Sequence, residues 1–190
     1  MATRSNILGG TDWTDGEILY AADLNTTIIS ALAERWPAYV KDFTAVLGSE
    51  PNQDIVGNFP VLSFSASATN SAVASFELPG RVYNNDITVT CVYAGDTTNV
   101  GDIVLEANIT IKNDAGTLTS GSATTTDTIA AQGTVNVLKV QALTNIMISK
   151  SSLSSTETNY IGLTFSRKGA DGSDTYTGKL LLLSIILSTT

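Results

Sequence analysis

The chain of 190 residues contains no histidine. That removes the commonest general base, the commonest neutral metal ligand and the imidazole partner of a serine or cysteine nucleophile. Cysteine occurs once, at Cys91, which excludes an intramolecular disulfide. Cys91 alternates with Ile87, Val89 and Tyr93, so it reads as a small buried hydrophobe and not as a nucleophile. Charge is sparse, at 15% of residues. A monomer of this size normally exposes more, so part of the uncharged surface is expected to lie under partners. Positive charge is sparsest: ten Lys and Arg stand against eighteen Asp and Glu, for a net charge of −8. The ten are scattered from Arg4 to Lys179, with only Arg167 and Lys168 adjacent. Nucleic acid demands a clustered basic footprint, so no nucleic-acid partner is expected. Long apolar runs are missing too. The most apolar stretch, Leu180 to Leu187, is interrupted by Ser184 and is far short of the about 20 residues of a membrane-spanning helix, so no membrane insertion is expected. Met1 to Gly10 lacks the apolar centre of a signal peptide. The chain is therefore expected to be made in the cytoplasm and to stay soluble until it assembles.

What is present divides into two parts. Hydrophobic residues make up 43% of the chain, enough to fold it, and its length suits one packed domain with an appendage. The first part, residues 1–58, reads as an N-terminal anchor. Asp15-Gly16 marks a turn. A helix is predicted over about 21–36, where Leu24, Ile28, Leu32 and Trp36 recur at a spacing of four and Ala21 and Ala31 lie beside them. Pro37 ends it. A helix of this length is marginal alone in water, so its apolar stripe has to dock. Trp13, Leu24, Ile28, Leu32 and Trp36 are the candidate docking residues. A polar connector holding Pro51, Asn52, Gln53 and Asp54 closes the segment.

The second part, residues 59–190, alternates apolar and polar residues between turn signals. Ile87, Val89, Cys91 and Tyr93 form one such run. Ile103, Leu105, Ala107, Ile109 and Ile111 form another, as do Val135 and Val137, Ile146 and Ile148, and Ile161, Leu163 and Phe165. Asn84-Asn85-Asp86, Asn113-Asp114-Ala115-Gly116 and Gly169-Ala170-Asp171-Gly172 separate them. About eight strands at this spacing predict a mainly β fold, an antiparallel β-sandwich or jelly roll preceded by the short α-helical anchor. The last run differs, because both of its alternating sets are apolar. A half-buried strand carries polar residues on one face. One set is expected in the core. The other, Leu181, Leu183, Ile185 and Leu187, is the candidate oligomer interface.

Two segments resemble known proteins. Trp13-Thr14-Asp15-Gly16-Glu17-Ile18-Leu19-Tyr20-Ala21-Ala22-Asp23-Leu24-Asn25 resembles the N-terminal segment of tailed-phage fibre and appendage proteins, where an acidic-glycine turn leads into a helix. In that family a threonine caps the helix; here Tyr20 holds the position, so the side-chain cap is lost and Asp23 is left to favour the helix dipole. Ser75-Phe76-Glu77-Leu78-Pro79, Ile87 to Tyr93, and Phe165-Ser166-Arg167 with Asp171-Gly172-Ser173-Asp174 resemble the β-sandwich modules of phage structural proteins. The resemblance implies a non-enzymatic virion protein, often a homotrimer, at the surface of the particle. It would decorate the capsid or form a head or tail fibre, with itself and other capsid or tail proteins as partners. The alternative it leaves is a receptor-recognition module that binds host-surface glycans.

Local constellations carry bland and functional readings. Asp171 and Asp174 could supply Ca²⁺, but a full calcium loop needs more oxygen ligands, and a hairpin turn is the expected role. Asp96, Asp102 and Glu106 are read as solvated carboxylates and not as a glycosidase pair. No metal or other cofactor is expected. Trp13, Tyr20, Trp36 and Tyr39 read as packing residues. Tyr83, Tyr93, Tyr160 and Tyr176 are the candidates for glycan contact. Thr117 to Thr128 reads as an exposed loop or an edge strand.

Overall fold

Residues that alternate apolar and polar pair into strands, because a pleated strand sends successive side chains to opposite faces. A computed structural model describes residues 34–113, 116, 118 and 124–189. It contains β1 (Arg35–Tyr39), β2 (Thr44–Ala45), β3 (Asn52–Val56), β4 (Phe59–Phe64), β5 (Thr69–Leu78), β6 (Ile87–Gly95), β7 (Asp102–Lys112), β8 (Thr124–Ala130), β9 (Lys139–Ile148), β10 (Asn159–Lys168) and β11 (Leu180–Ser188). One sheet runs β3-β4-β11-β6-β9, with β1 pairing the far end of β11; the other runs β2-β5-β10-β7-β8. Every strand pairing is antiparallel. The chain crosses repeatedly from one sheet to the other, as in a jelly roll. The fold is therefore an antiparallel β-sandwich, as the alternation predicted.

The core lies between the sheets. Ile87, Val89, Cys91 and Tyr93 of β6 face Ile103, Leu105 and Ala107 of β7 and Ile161, Leu163 and Phe165 of β10, all of them buried. Phe64 of β4 meets Phe165 edge-on across the gap, with ring centroids 6.0 Å apart. Each such side chain, fully buried, stabilises the fold by roughly 1.5–3 kcal/mol.

Three expectations are corrected. The sandwich begins at Arg35 and not at residue 59. β1 pairs β11, with Trp36 opposite Leu187, so Trp36 sits in a strand and not at the end of a helix. Pro37 is tolerated there because β1 pairs on one side only, at a sheet edge. The polar connector contains β3, which forms a hairpin with β4 around Gly57-Asn58, with Gly57 at φ 62°. Second, Val135 and Val137 lie outside the strands; Val135 makes an isolated bridge to Gly95, and β9 starts at Lys139. Residues 21–33 of the predicted helix, and the docking candidates Trp13, Leu24, Ile28 and Leu32, lie outside the described residues.

The third correction concerns β11. Its register against β6 shifts between Leu182 and Ser184, so one extra residue is accommodated in a bulge. The bulge exchanges the two alternating sets midway. Leu180, Leu182, Ile185 and Leu187 all point into the core, whereas Leu181 and Leu183 pack on the outer side with Val61, Ala94 and Val56. The four residues of the expected interface thus divide in two. Ile185 and Leu187 are fully buried in the chain's own interior, Leu181 is buried beneath its outer-face neighbours, and of the four only Leu183 keeps partial exposure.

Candidate functional site

The two outer faces of the sandwich differ in chemistry. On the first sheet, the alternation of β4 and β6 that buries Leu62, Phe64, Cys91 and Tyr93 turns Val61 and Ala94 outward, beside Leu181. Together with Val56, Phe59, Leu138 and Leu183 they line an apolar cleft of about 120 Å³, with Asn136 at its rim. None of these residues is charged. Phe59 and Leu138 are more than half exposed, as is Val140 of β9 nearby. Ser63, opposite Leu181 in the register, is buried on this face with no hydrogen-bond partner for its hydroxyl among the described residues. Such an orphaned group ordinarily costs about 1–3 kcal/mol.

The outer face of the second sheet is polar. β5, β10 and β7 lie side by side, and their registers set Ser75, Gly162 and Thr110 in one row across the sheet. The next rows are Glu77, Tyr160 and Lys112 on one side, and Val73, Thr164 and Asn108 on the other. A cleft of about 530 Å³ opens over these rows, and apolar Leu118, Phe76 and Ile161 line it as well. Tyr160 stands beside it, half exposed. The other glycan candidates are taken up by the fold. Tyr83 is buried and donates to the Pro79 carbonyl; Tyr93 is buried and donates to the Ala130 carbonyl. Tyr176 is buried beneath Arg167.

The connection from β10 to β11 is built on a buried ion pair. Arg167 at the end of β10 is fully buried, and so is the Asp174 side chain 2.7 Å away. The guanidinium grips both oxygens of Asp174 through Nε and Nη2. Its remaining N–H groups reach the carbonyls of Tyr176, Gly178 and Phe64. All five donors of the arginine are thereby engaged. The Val104 amide also donates to Asp174. Asp171 accepts from the Ser173 amide in a tight turn. The carboxylate that would face a cation is thus turned inward and neutralised, and this segment acts as a structural lock. Asp96 accepts from the Lys179 amide, and Glu106 pairs with Lys168 at 3.3 Å. Thr124 to Thr128, the end of the threonine-rich stretch, belongs to edge strand β8. There Asp127, buried, accepts from the amides of Thr144 and Asn145 and ties β8 to β9 of the other sheet.

Burial pushes the Cys91 thiol well above its ordinary range. Burial does the same to the Tyr93 phenol, with smaller contributions from neighbouring Cys91 and Tyr176.

The strand order and the crossings define an antiparallel β-sandwich of jelly-roll type. No family model matches the chain, and no curated protein matches it. Among solved structures it is similar to the CBM36-1 domain of a multidomain xylanase from the hindgut metagenome of Trinervitermes trinervoides. That match has 11% identity and a TM-score of 0.46, over 83% of this chain and 98% of that one. CBM35 from Cellvibrio japonicus Abf62 matches at 11% identity and a TM-score of 0.46, over 81% and 92% of the two chains. The infectious bursal disease virus Gx strain structure matches at 12% identity and a TM-score of 0.42, over 84% of this chain and 32% of that one. These likenesses are distant, and the sandwich assignment rests on the strand pairing itself.

Sequence alternation located Leu181, Leu183 and Tyr160. It missed Val56, Phe59, Val61, Ala94 and Leu138, which come from separate strands and loops. It also missed the row of Ser75, Gly162 and Thr110, which only the register of three strands brings together.

Proposed function

We propose that the chain is a non-enzymatic structural protein of a tailed-virus particle. It associates with copies of itself, as a trimer, through the apolar outer face of the β3-β4-β11-β6-β9 sheet, and decorates the capsid or forms a head or tail fibre at the virion surface. The observation that supports this reading is an uncharged patch in which Phe59 and Leu138 are more than half exposed and Val56 and Leu183 partly so, over buried Val61, Ala94 and Leu181. Apolar surface of this kind gains by leaving water, and the strand that carries it is apolar on both sides. The virion setting comes from the resemblance of the N-terminal segment and of the sandwich strands to phage appendage proteins.

Sedimentation and light scattering on the purified chain test the assembly. Phe59→Asp and Leu183→Asp place a charge on the patch outside the core, and both are expected to yield monomers with an unchanged far-ultraviolet spectrum. A wild-type chain that stays a lone monomer at high concentration sinks the proposal.

A second reading, recognition of host-surface glycans, is favoured by the cleft beside Tyr160 on the opposite face. It is compatible with the first, because the two surfaces belong to different sheets.

A further inference from the structure

The middle of β10 carries a residue that the fold does not need. Gly162 sits in a central strand, paired with Ser75 on one side and Thr110 on the other. A glycine there weakens a strand, since it has no side chain to pack and more freedom to lose. Its packing gives no reason for it. A Cβ at this position would meet only Thr110, at 3.8 Å from its Cβ and 4.0 Å from its carbonyl, which is ordinary contact. What the missing side chain does provide is a hole in the pleated face, flanked by two hydroxyl side chains and overlooked by half-exposed Tyr160. Glycine inside a strand often marks close approach by a ligand.

The chemistry around the hole narrows the ligand. β10 is paired on both sides, so no free edge is available to a peptide adding as a strand. Lys112 lines the cleft, while Glu77, on the other side of Tyr160 in the same row, does not, so the described lining carries one cation and no carboxylate. Hydroxyls of Ser75, Thr110 and Thr164, with the Tyr160 ring at the side, suit a molecule that offers hydroxyls at its rim and an aliphatic face for stacking. The volume of about 530 Å³ falls within the range of small-ligand sites.

We propose that this cleft binds a pyranose unit of a surface glycan, stacked on Tyr160 and seated over Gly162. The proposal rests on the glycan reading above and gives it a site. The full chain is applied to a printed array of neutral glucan, mannan and N-acetylhexosamine oligosaccharides beside sialylated and uronic-acid ones. The strongest ligand is then titrated calorimetrically against wild type, Tyr160→Ala and Gly162→Val. Valine fills the hole while favouring the strand, so Gly162→Val is expected to keep or raise the melting temperature. Both variants are expected to weaken binding by about tenfold or more with the sedimentation profile unchanged. Binding that persists in both variants within about twofold overturns the site and leaves the glycan reading standing. No binding anywhere on the array overturns both the site and the reading.

Discussion

Arg167 shows how far one side chain can govern the joining of two sheets. It is buried at the end of β10, yet every donor it carries is satisfied, and the segment leading to β11 is wrapped around it. Arg167→Ala would leave Asp174 charged and buried, and should cost about 3–5 kcal/mol in a urea unfolding midpoint. Replacing both partners with apolar residues, Arg167→Met with Asp174→Leu, should cost less than either truncation alone, because no lone charge remains. The core residues Cys91 and Tyr93 add a chemical readout. Cys91 should resist alkylation in the native protein and react once it is unfolded. Both groups are held protonated by the fold, so their folded pKa values lie above the unfolded ones. Their contribution is complete below the unfolded values, near 9.0 for the thiol and 10.0 for the phenol, and is lost as pH rises beyond them. Alkaline titration of the melting temperature should show stability falling above about pH 9, and falling less in Cys91→Ala.

Among the elements, β11 explains both what the sequence disclosed and what it hid. A strand apolar on both faces was readable in Leu180 to Leu187. The bulge was not, because when both alternating sets are apolar a change of parity leaves no trace in the pattern. Its consequence is testable by deletion. Removing Leu183 takes out the extra residue and keeps Leu180, Leu182, Ile185 and Leu187 facing inward, so the fold should survive with a modest loss. Removing Ile186 turns Leu187 outward and should cost about 2–5 kcal/mol, the penalty of emptying a core leucine site. Urea unfolding of the two deletions decides between them. β6, β7 and β10 were legible because their alternation is strict. β3 and β8 were less so: Asn52-Gln53-Asp54 and the threonines of β8 serve edge strands, which need little apolar patterning. Trp36-Pro37 imitated a helix end because a proline looks the same at a helix terminus and on a sheet edge.

At the scale of the whole molecule, the cleft beside Tyr160 was half legible. The inward set Ile161, Leu163 and Phe165 dictates that Tyr160, Gly162 and Thr164 look outward. Which residues stand beside them depends on β5 and β7, which lie far away along the chain, and no local pattern encodes that register. The net charge of −8 bears on assembly. Like-charged copies repel, and salt screens the repulsion over about 8–10 Å while leaving apolar contact intact. The proposed oligomer should therefore tighten between low and moderate salt in sedimentation equilibrium. An ion-paired interface would loosen instead.

The apolar patch and the cleft beside Tyr160 occupy opposite outer sides of the sandwich, with the two packed sheets between them. Copies joined through the first would all turn the second away from the joint. A sugar contact too weak to hold one copy would then be repeated on every neighbour, and once a first arm had landed the others would meet a crowded glycan surface at millimolar effective concentration. Grip would come from avidity, with a gain of about 10²–10⁴ over a single cleft, and a cleft of modest depth would be sufficient for firm attachment.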